Sequence, residues 1–318
     1  MSVGARSPEA VVWDALRGGL VTRALGLVAD LRIAALLAGG PRTTDDLAQA
    51  TGANPDALHR ILRALASDGI FAQGESGAFR NTPASELLVD GGWDDFAHLF
   101  GEVWLHAAAA LDAGGEPTFP RLNGMGFWSW LAANPAERAA FDRAMGQGRE
   151  GRQQRLETME WRPGETVVDV GGGNGSLLLA LLEAHPELRG IVFDLPETVR
   201  DEASFGGRCM FVPGDFFESV PRGDVYLLSG VLHDWGDERA TAILQTVRAS
   251  APAHARLVLL EGVVAAGNEP DGQKWLDLLM LALFDGRERD ETQWRTLLAA
   301  GGWEPTRIDD GVIEARCR

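Results

Sequence analysis

The chain has 318 residues, a net charge of −17 and an apolar share of 45%. That length suits two compact units, and the charge excludes a broad nucleic-acid footprint or binding to an anionic membrane, which need clustered Lys and Arg. No apolar run approaches the roughly 20 residues that span a bilayer, the start lacks a signal peptide's apolar core, and Cys209 and Cys317 suffice for neither a disulfide framework nor a zinc site. The expectation is a cytoplasmic protein with no metal.

Residues 12–40 carry Val12, Leu16, Leu20, Leu25, Val28, Leu31 and Leu36 at helical spacing. A short helix is expected over Thr43 to Ala50, with Thr44 as its N-cap. After the turn Thr51-Gly52-Ala53-Asn54-Pro55, Asp56 to Ser67 reads as a third helix, with Leu58, Ile61, Leu62 and Leu65 on one face. Gly69 to Gln73 and Ala78 to Thr82 then read as a small hairpin. Helix, helix, turn, helix, hairpin is the outline of a winged helix. A DNA reader carries a basic surface, yet residues 1–85 hold eight arginines and eight acids. Packing or dimerisation is therefore the expected role of this segment.

Residues 92–160 read as helical and are rich in aromatics: Trp93, Phe96, Phe100, Trp104, Phe127, Trp128, Trp130 and Phe141. These side chains serve either as core or as walls of a pocket for a flat apolar molecule. From residue 164 the pattern alternates strand and helix, with strands expected at 166–170, 190–194, 208–212, 224–229, 255–261 and 311–316. This predicts an α/β fold with a doubly wound, mainly parallel sheet. The expected organisation is 1–90, 91–160 and 161–318. Ligands of such sheets sit beyond the C-terminal ends of the strands.

Five of those ends carry chemistry. The first strand runs into Asp169-Val170-Gly171-Gly172-Gly173-Asn174-Gly175, and Ser176 to Leu182 reads as a helix. Glycines let the backbone approach a ligand, and a helix N-terminus offers free N–H groups. Glycines at 171, 173 and 175 differ from the dinucleotide spacing G-x-G-x-x-G. Asp194 ends the second strand and could accept from two ribose hydroxyls, or simply form a turn before Leu195-Pro196. Asp215 ends the third and could accept from an adenine amino group, with Phe216 on the ring face. His233, in Leu232-His233-Asp234-Trp235, follows the fourth and precedes a helix that Asp237 could cap. Glu261 ends the fifth strand, and Glu288 lies in the loop Asp285-Gly286-Arg287-Glu288-Arg289-Asp290. One histidine and two carboxylates converging on a cleft form the layout of an oriented general base.

From about residue 12 the chain resembles the S-adenosylmethionine (SAM)-dependent O-methyltransferases of the caffeate/hydroxyindole type and their bacterial polyketide- and antibiotic-modifying relatives. The motifs that carry the resemblance are Asp169-Val170-Gly171-Gly172-Gly173-Asn174-Gly175, Phe193-Asp194-Leu195-Pro196, Gly214-Asp215-Phe216-Phe217, Leu232-His233-Asp234-Trp235 and Gly286-Arg287-Glu288-Arg289. It implies a class I methyltransferase sheet and an N-terminal winged-helix domain that forms a homodimer without binding DNA.

The resemblance further implies that Asp169, Gly171 and Gly173 line the SAM site. Asp194 and Leu195 would lie at the ribose, Asp215, Phe216 and Ser229 at the adenine, and Arg138 at the SAM carboxylate unless it is a plain helix-surface arginine. His233 would be the base, with Glu261 and Glu288 orienting its imidazole. Trp104, Phe127, Trp128, Phe141, Met145, Asp234, Met280 and Phe284 would wall the pocket of an aromatic acceptor. Ser229 departs from the lysine that many members carry four residues before the histidine. The implied reaction is attack of a phenolic oxygen on the sulfonium methyl, releasing S-adenosylhomocysteine. The alternatives are a SAM-binding relative that decarboxylates or hydroxylates a polyketide, a winged-helix ligand-sensing regulator, and a nicotinamide-dependent dehydrogenase.

Overall fold

The computed structural model describes residues 7–90, 92–106, 117–146, 149–196, 198–199, 207–309 and 311–318, without the side chains of 102, 104–106 and 149. The chain divides into two compact units, residues 1–106 with 134–147, and residues 107–133 with 148–318.

The first unit begins with α1 (Pro8–Asp30) and α2 (Ile33–Leu37). α3 (Thr44–Thr51) is capped by Thr43, one residue before the expected Thr44. Thr43 accepts from the Asp46 N–H while the Asp46 carboxylate accepts from the Thr43 N–H, a reciprocal capping box. α4 (Pro55–Ser67) starts at Pro55 behind the N-cap Asn54 and buries Leu58, Leu62 and Leu65. The hairpin β1 (Phe71–Gln73) and β2 (Phe79–Asn81) pairs antiparallel. Its Phe71 and Phe79 join Leu47, Leu58 and Leu62 in one core. After α5 (Pro83–Glu86), the helices α6 (Trp93–His106) and α9 (Pro135–Met145) complete the unit. Val12, Trp13, Leu16 and Leu20 on α1 are exposed, leaving an apolar face of this helix uncovered within the chain.

The second unit holds α7 (Thr118–Asn123), α8 (Phe127–Ala133) and α10 (Arg149–Glu157), followed by a sheet flanked by helices. Its elements are β3 (Thr166–Val170), α11 (Ser176–Ala184), β4 (Arg189–Asp194), β5 (Cys209–Pro213), β6 (Val225–Ser229), α12 (Asp237–Ser250), β7 (Arg256–Leu260), α13 (Gly272–Leu283), α14 (Glu291–Ala300), β8 (Trp303–Asp309) and β9 (Val312–Cys317). Among the described residues the sheet has seven strands, in the order β5-β4-β3-β6-β7-β9-β8. The first five are parallel, and β9 runs antiparallel to both β7 and β8.

Alternation along the strands sorts the core into two layers. Val168, Val170, Tyr226, Leu228, Leu257 and Leu259 pack with Ile243, Leu244 and Val247 of α12 and Trp294 of α14. Val167, Val192, Val225, Leu227 and Val258 pack on the other side with Leu177, Leu178 and Leu181 of α11. Strands covered on both faces read as continuous apolar runs, as parallel strands do. The edge strand β8 was not expected from sequence. The chain steps outward from β3 through β4 to β5 and then crosses back to β6 on the other side of β3, which makes β3 and β6 flank the switch point, so ligand chemistry belongs at the ends of β3, β4, β5 and β6.

Candidate active site

The β3 end turns sharply. Gly175 is left-handed (φ 75°) at the N-cap of α11, and a Cβ there would lie 2.8 Å from Val192 and 3.0 Å from the Phe211 ring. Gly173 is also left-handed (φ 59°), but its missing Cβ would meet nothing within 4 Å. The first position is closed by the protein's own packing, whereas the second faces open space. Asp169 lies beneath the loop with 2% of its surface exposed. Burial, then the neighbouring Asp194 charge, raises its carboxyl to about 7 against a lowering pull from Arg152.

Asp194 closes the loop from β4: its Oδ2 accepts from the Gly173 N–H (2.8 Å) and its Oδ1 from the Leu195 N–H (2.7 Å). A carboxylate oxygen can accept more than one hydrogen bond. Asp215, just beyond β5, accepts from the Phe217 N–H (2.8 Å) in a tight turn. That turn sets the Phe216 ring 3.8 Å from where a Gly171 Cβ would be. Phe217 meets Trp235 edge-on at 5.0 Å, and the Arg239 guanidinium lies over both rings, 4.5 and 4.2 Å from their centroids. Ser229 is half-buried at the end of β6.

His233 lies in a 3-10 turn over Leu232–Asp234. Its Nδ1–H donates to Glu288 Oε1 at 2.7 Å, and its Nε2 lies 3.5 Å from Asp234 Oδ1. Burial pulls the imidazole pKa down, but the Asp234 charge, the Glu288 hydrogen bond and the charges of Glu261 and Glu288 outweigh it and raise it to about 10. Burial pushes Asp234 up to about 7 and raises Glu261 as well, both moderated by the His233 charge. Glu261 differs from expectation. Its Oε1 does not bond to the imidazole; it accepts the N–H groups of Val231 (2.9 Å) and Leu232 (2.8 Å), anchoring the turn that carries His233. Asp237 likewise does not cap α12, whose N-cap is Gly236; its carboxylate pairs with Arg289 (2.9 Å) and Arg287 (3.3 Å).

Phe127, Trp128 and Phe284 come together. Trp128 stacks on Phe284 (5.4 Å, 20°), and Phe127 meets Phe284 edge-on at 5.5 Å. Phe119 and Trp130 extend the same group, with centroids 5.2 and 6.2 Å from Phe127. Phe119 was missed because nothing in sequence ties it to α8. Met280 is buried in α13. The pocket candidate Asp234 lies in the histidine turn of the second unit, but Trp104, Phe141, Met145 and Arg138 fall in the first: Phe141 is half-buried and Met145 exposed on α9, while the side chain of Trp104 lies outside the described residues. Arg138 pairs with Asp142 one turn on (2.9 Å), as a helix-surface arginine does.

Two family models match, the O-methyltransferase domain over residues 104–304 and the O-methyltransferase dimerisation domain over residues 13–91. The chain is 38% identical to phenazine O-methyltransferase PhzM of Lysobacter antibioticus, over 98% of this chain and 97% of that one. It is 35% identical to the mitomycin biosynthesis 6-O-methyltransferase of Streptomyces lavendulae, over 92% and 88%. The crystal structure of the neocarzinostatin-biosynthesis O-methyltransferase NcsB1, in complex with S-adenosylhomocysteine and 1,4-dihydroxy-2-naphthoic acid, superposes with a TM-score of 0.81 at 32% identity, covering 93% of this chain and 96% of that one. The chain belongs to the O-methyltransferase family.

Proposed function

We propose that this O-methyltransferase moves the methyl group of SAM to a phenolic hydroxyl of a flat aromatic small molecule, with His233 as general base. The observation that carries the reading is the His233–Glu288 pair at 2.7 Å, at the strand ends that also present the open glycine loop and two carboxylates. The residues fit the cofactor. Asp194 has acceptor capacity for ribose hydroxyls, Asp215 and the Phe216 ring suit an adenine amino group and face, and Gly173 leaves room for a ligand. When bound, SAM supplies an electrophilic methyl on a positive sulfur. The negative cluster of Asp234, Glu261 and Glu288 suits that positive charge.

The chain's own residues manage the proton. Glu288 occupies Nδ1–H, so Nε2, which lies 3.5 Å from Asp234 Oδ1, is the nitrogen that would face an acceptor hydroxyl. An ordinary histidine near 6.5 facing a phenol near 10 is about 3.5 units uphill, roughly 5 kcal/mol. At a pKa of about 10 a neutral His233 closes that gap, although at pH 7 the ring carries its own proton and must first release it. A phenolate paired with imidazolium is then about as stable as the neutral pair, and the neighbouring carboxylates hold the proton on the ring. Alignment of the two reactants is worth as much again, up to about 7–11 kcal/mol at best. The reading requires no metal.

The aromatic group around Phe127, Trp128 and Phe284 supports a flat acceptor, and the named relatives are a phenazine O-methyltransferase and a mitomycin biosynthesis 6-O-methyltransferase. Their names describe methyl transfer rather than decarboxylation or hydroxylation. The dimerisation-domain match and the exposed face of α1 support a homodimer through the N-terminal unit. Among the described residues no helix is long and apolar enough to cross a membrane, and a cytoplasmic location is part of the proposal. The direct test is to incubate the protein with SAM and a panel of phenols, naphthols and hydroxyphenazines. S-adenosylhomocysteine formed together with a methyl ether supports the reading; SAM binding without either product on any acceptor sinks it. Calorimetry with SAM against a nicotinamide dinucleotide separates it from the dehydrogenase alternative.

A further inference from the structure

Three consecutive residues grip the histidine turn. The Arg287 N–H donates to the His233 carbonyl at 2.8 Å, Glu288 accepts from the imidazole, and Arg289 reaches the backbone on both sides. Arg289 Nη1–H donates to the Leu232 carbonyl (3.0 Å) and Nη2–H to the Trp235 carbonyl (2.8 Å), while Nε–H donates to Asp237 (3.0 Å). The side chain is 0% exposed, and its guanidinium lies 5.3 Å from the centre of the Trp294 ring. Trp294 in turn donates its Nε1–H to the Gly262 carbonyl, next to Glu261. Gly286 permits this approach, since a Cβ there would collide with the His233 carbonyl and the Asp234 backbone.

A buried guanidinium loses more hydration than an exposed one, so its retention demands well-aimed partners. Here those partners are backbone carbonyls bracketing one histidine. Two points of a rigid planar fork fix the turn more firmly than a single point charge on a flexible stem could. Opposite them Glu261 holds the N–H groups of the same turn. The imidazole therefore receives its position from Arg289 and its charge from the carboxylates of Asp234, Glu288 and Glu261.

We infer that Arg289 is a positioning residue for methyl transfer: it holds the 3-10 turn so that His233 Nε2 faces the acceptor oxygen. This rests on His233 acting as base. The test is a double-mutant cycle on the full-length protein with Arg289→Lys and His233→Ala, reading kcat, SAM affinity by calorimetry and thermal stability. Arg289→Lys is expected to lower kcat about 10- to 100-fold, the scale of an ångström-level misplacement, while SAM affinity stays within about threefold of the parent. In the His233→Ala background the same substitution should cost less than about twofold in kcat, because a group acting through His233 has nothing left to position. Equal fold-losses in both backgrounds, or loss of thermal stability with kcat unchanged, would overturn the inference. Full activity of His233→Ala alone would instead overturn the general-base reading. Should Arg289→Lys not fold, Asp237→Asn loosens the guanidinium from the solvent side, where Asp237 is exposed. It is expected to lower kcat with the same non-additivity, and additivity there overturns the inference equally.

Discussion

Replacing Glu288 by Gln keeps an acceptor for the imidazole N–H and removes its charge, so the variant isolates the electrostatic part of the 2.7 Å contact. Unit charges about 4 Å apart at an effective dielectric near 20 interact by roughly 4 kcal/mol, which is about 3 pKa units. Removing a carboxylate destabilises the imidazolium, so the His233 pKa falls from about 10 towards roughly 7. Two effects then oppose each other at neutral pH: more of the enzyme carries a neutral imidazole, but each imidazole is a weaker base. The pH profile separates them. At saturating SAM, the acidic limb of kcat/KM for the acceptor should move down by about 3 units. The plateau above it should fall by about 30-fold for a phenol near pKa 10, if half of the lost basicity is felt in the transition state. Along a series of ring-substituted phenols reaching pKa about 7, the plateau deficit should shrink towards unity. Initial rates of S-adenosylhomocysteine release measure all three. An unmoved limb, or a deficit of equal size for every acceptor, would refute the reasoning.

His233→Ala should lower kcat by about 10²–10⁴-fold and leave SAM affinity within about twofold by calorimetry; abolished SAM binding counts against the assignment. Gly175→Ala forces a methyl against Val192 and Phe211 on a left-handed backbone and should lower stability by about 2–5 kcal/mol, read as a drop in thermal midpoint. Gly173→Ala meets no protein atom and should cost only about 1–2 kcal/mol of stability, yet weaken SAM binding more than tenfold; unchanged affinity there would place the cofactor elsewhere. Leu16→Glu with Leu20→Glu on the exposed face of α1 should convert a dimer to monomers in sedimentation velocity, and a persisting dimer would rule out that face.

The five parallel strands were legible because each is a short, largely apolar run; β3, β4, β6 and β7 are buried along most of their length, while the edge strand β5 is only partly covered. β8 was not. Trp303-Glu304-Pro305-Thr306-Arg307-Ile308-Asp309 mixes charges with a proline, and only Trp303 is buried. A proline is tolerated because β8 is an edge strand with an irregular register between Pro305 and Arg307. The strand-end residues were readable because topology dictates where ligands sit, and His233, Asp194 and Asp215 all carry side-chain signals. Glu261 and Arg289 act on the backbone of a turn, and no pattern of residue types announces that a side chain will be spent on carbonyls or amides. Asp237 was misread for the same reason: a cap and a counter-ion use the same residue at the same place in sequence. The error of one residue at Thr43 is smaller, since two adjacent threonines compete for one cap and the reciprocal bond from Asp46 decides between them.

The anchoring of the histidine turn also bears on solvent. The N–H groups of Val231 and Leu232 end on Glu261, and the Gly230 N–H on the Leu260 carbonyl. The carbonyls of Leu232, His233 and Trp235 end on Arg289 and Arg287. None of these backbone groups depends on a bound water. An apolar aromatic acceptor settling against the turn can therefore sweep water away without orphaning them, avoiding a cost of about 1–3 kcal/mol for each buried group left unpaired. A dry surface around Nε2 lowers the local dielectric, which strengthens the ion pair formed when the phenol gives up its proton. The framework that holds His233 in place is thus also what lets the backbone of this turn go without water.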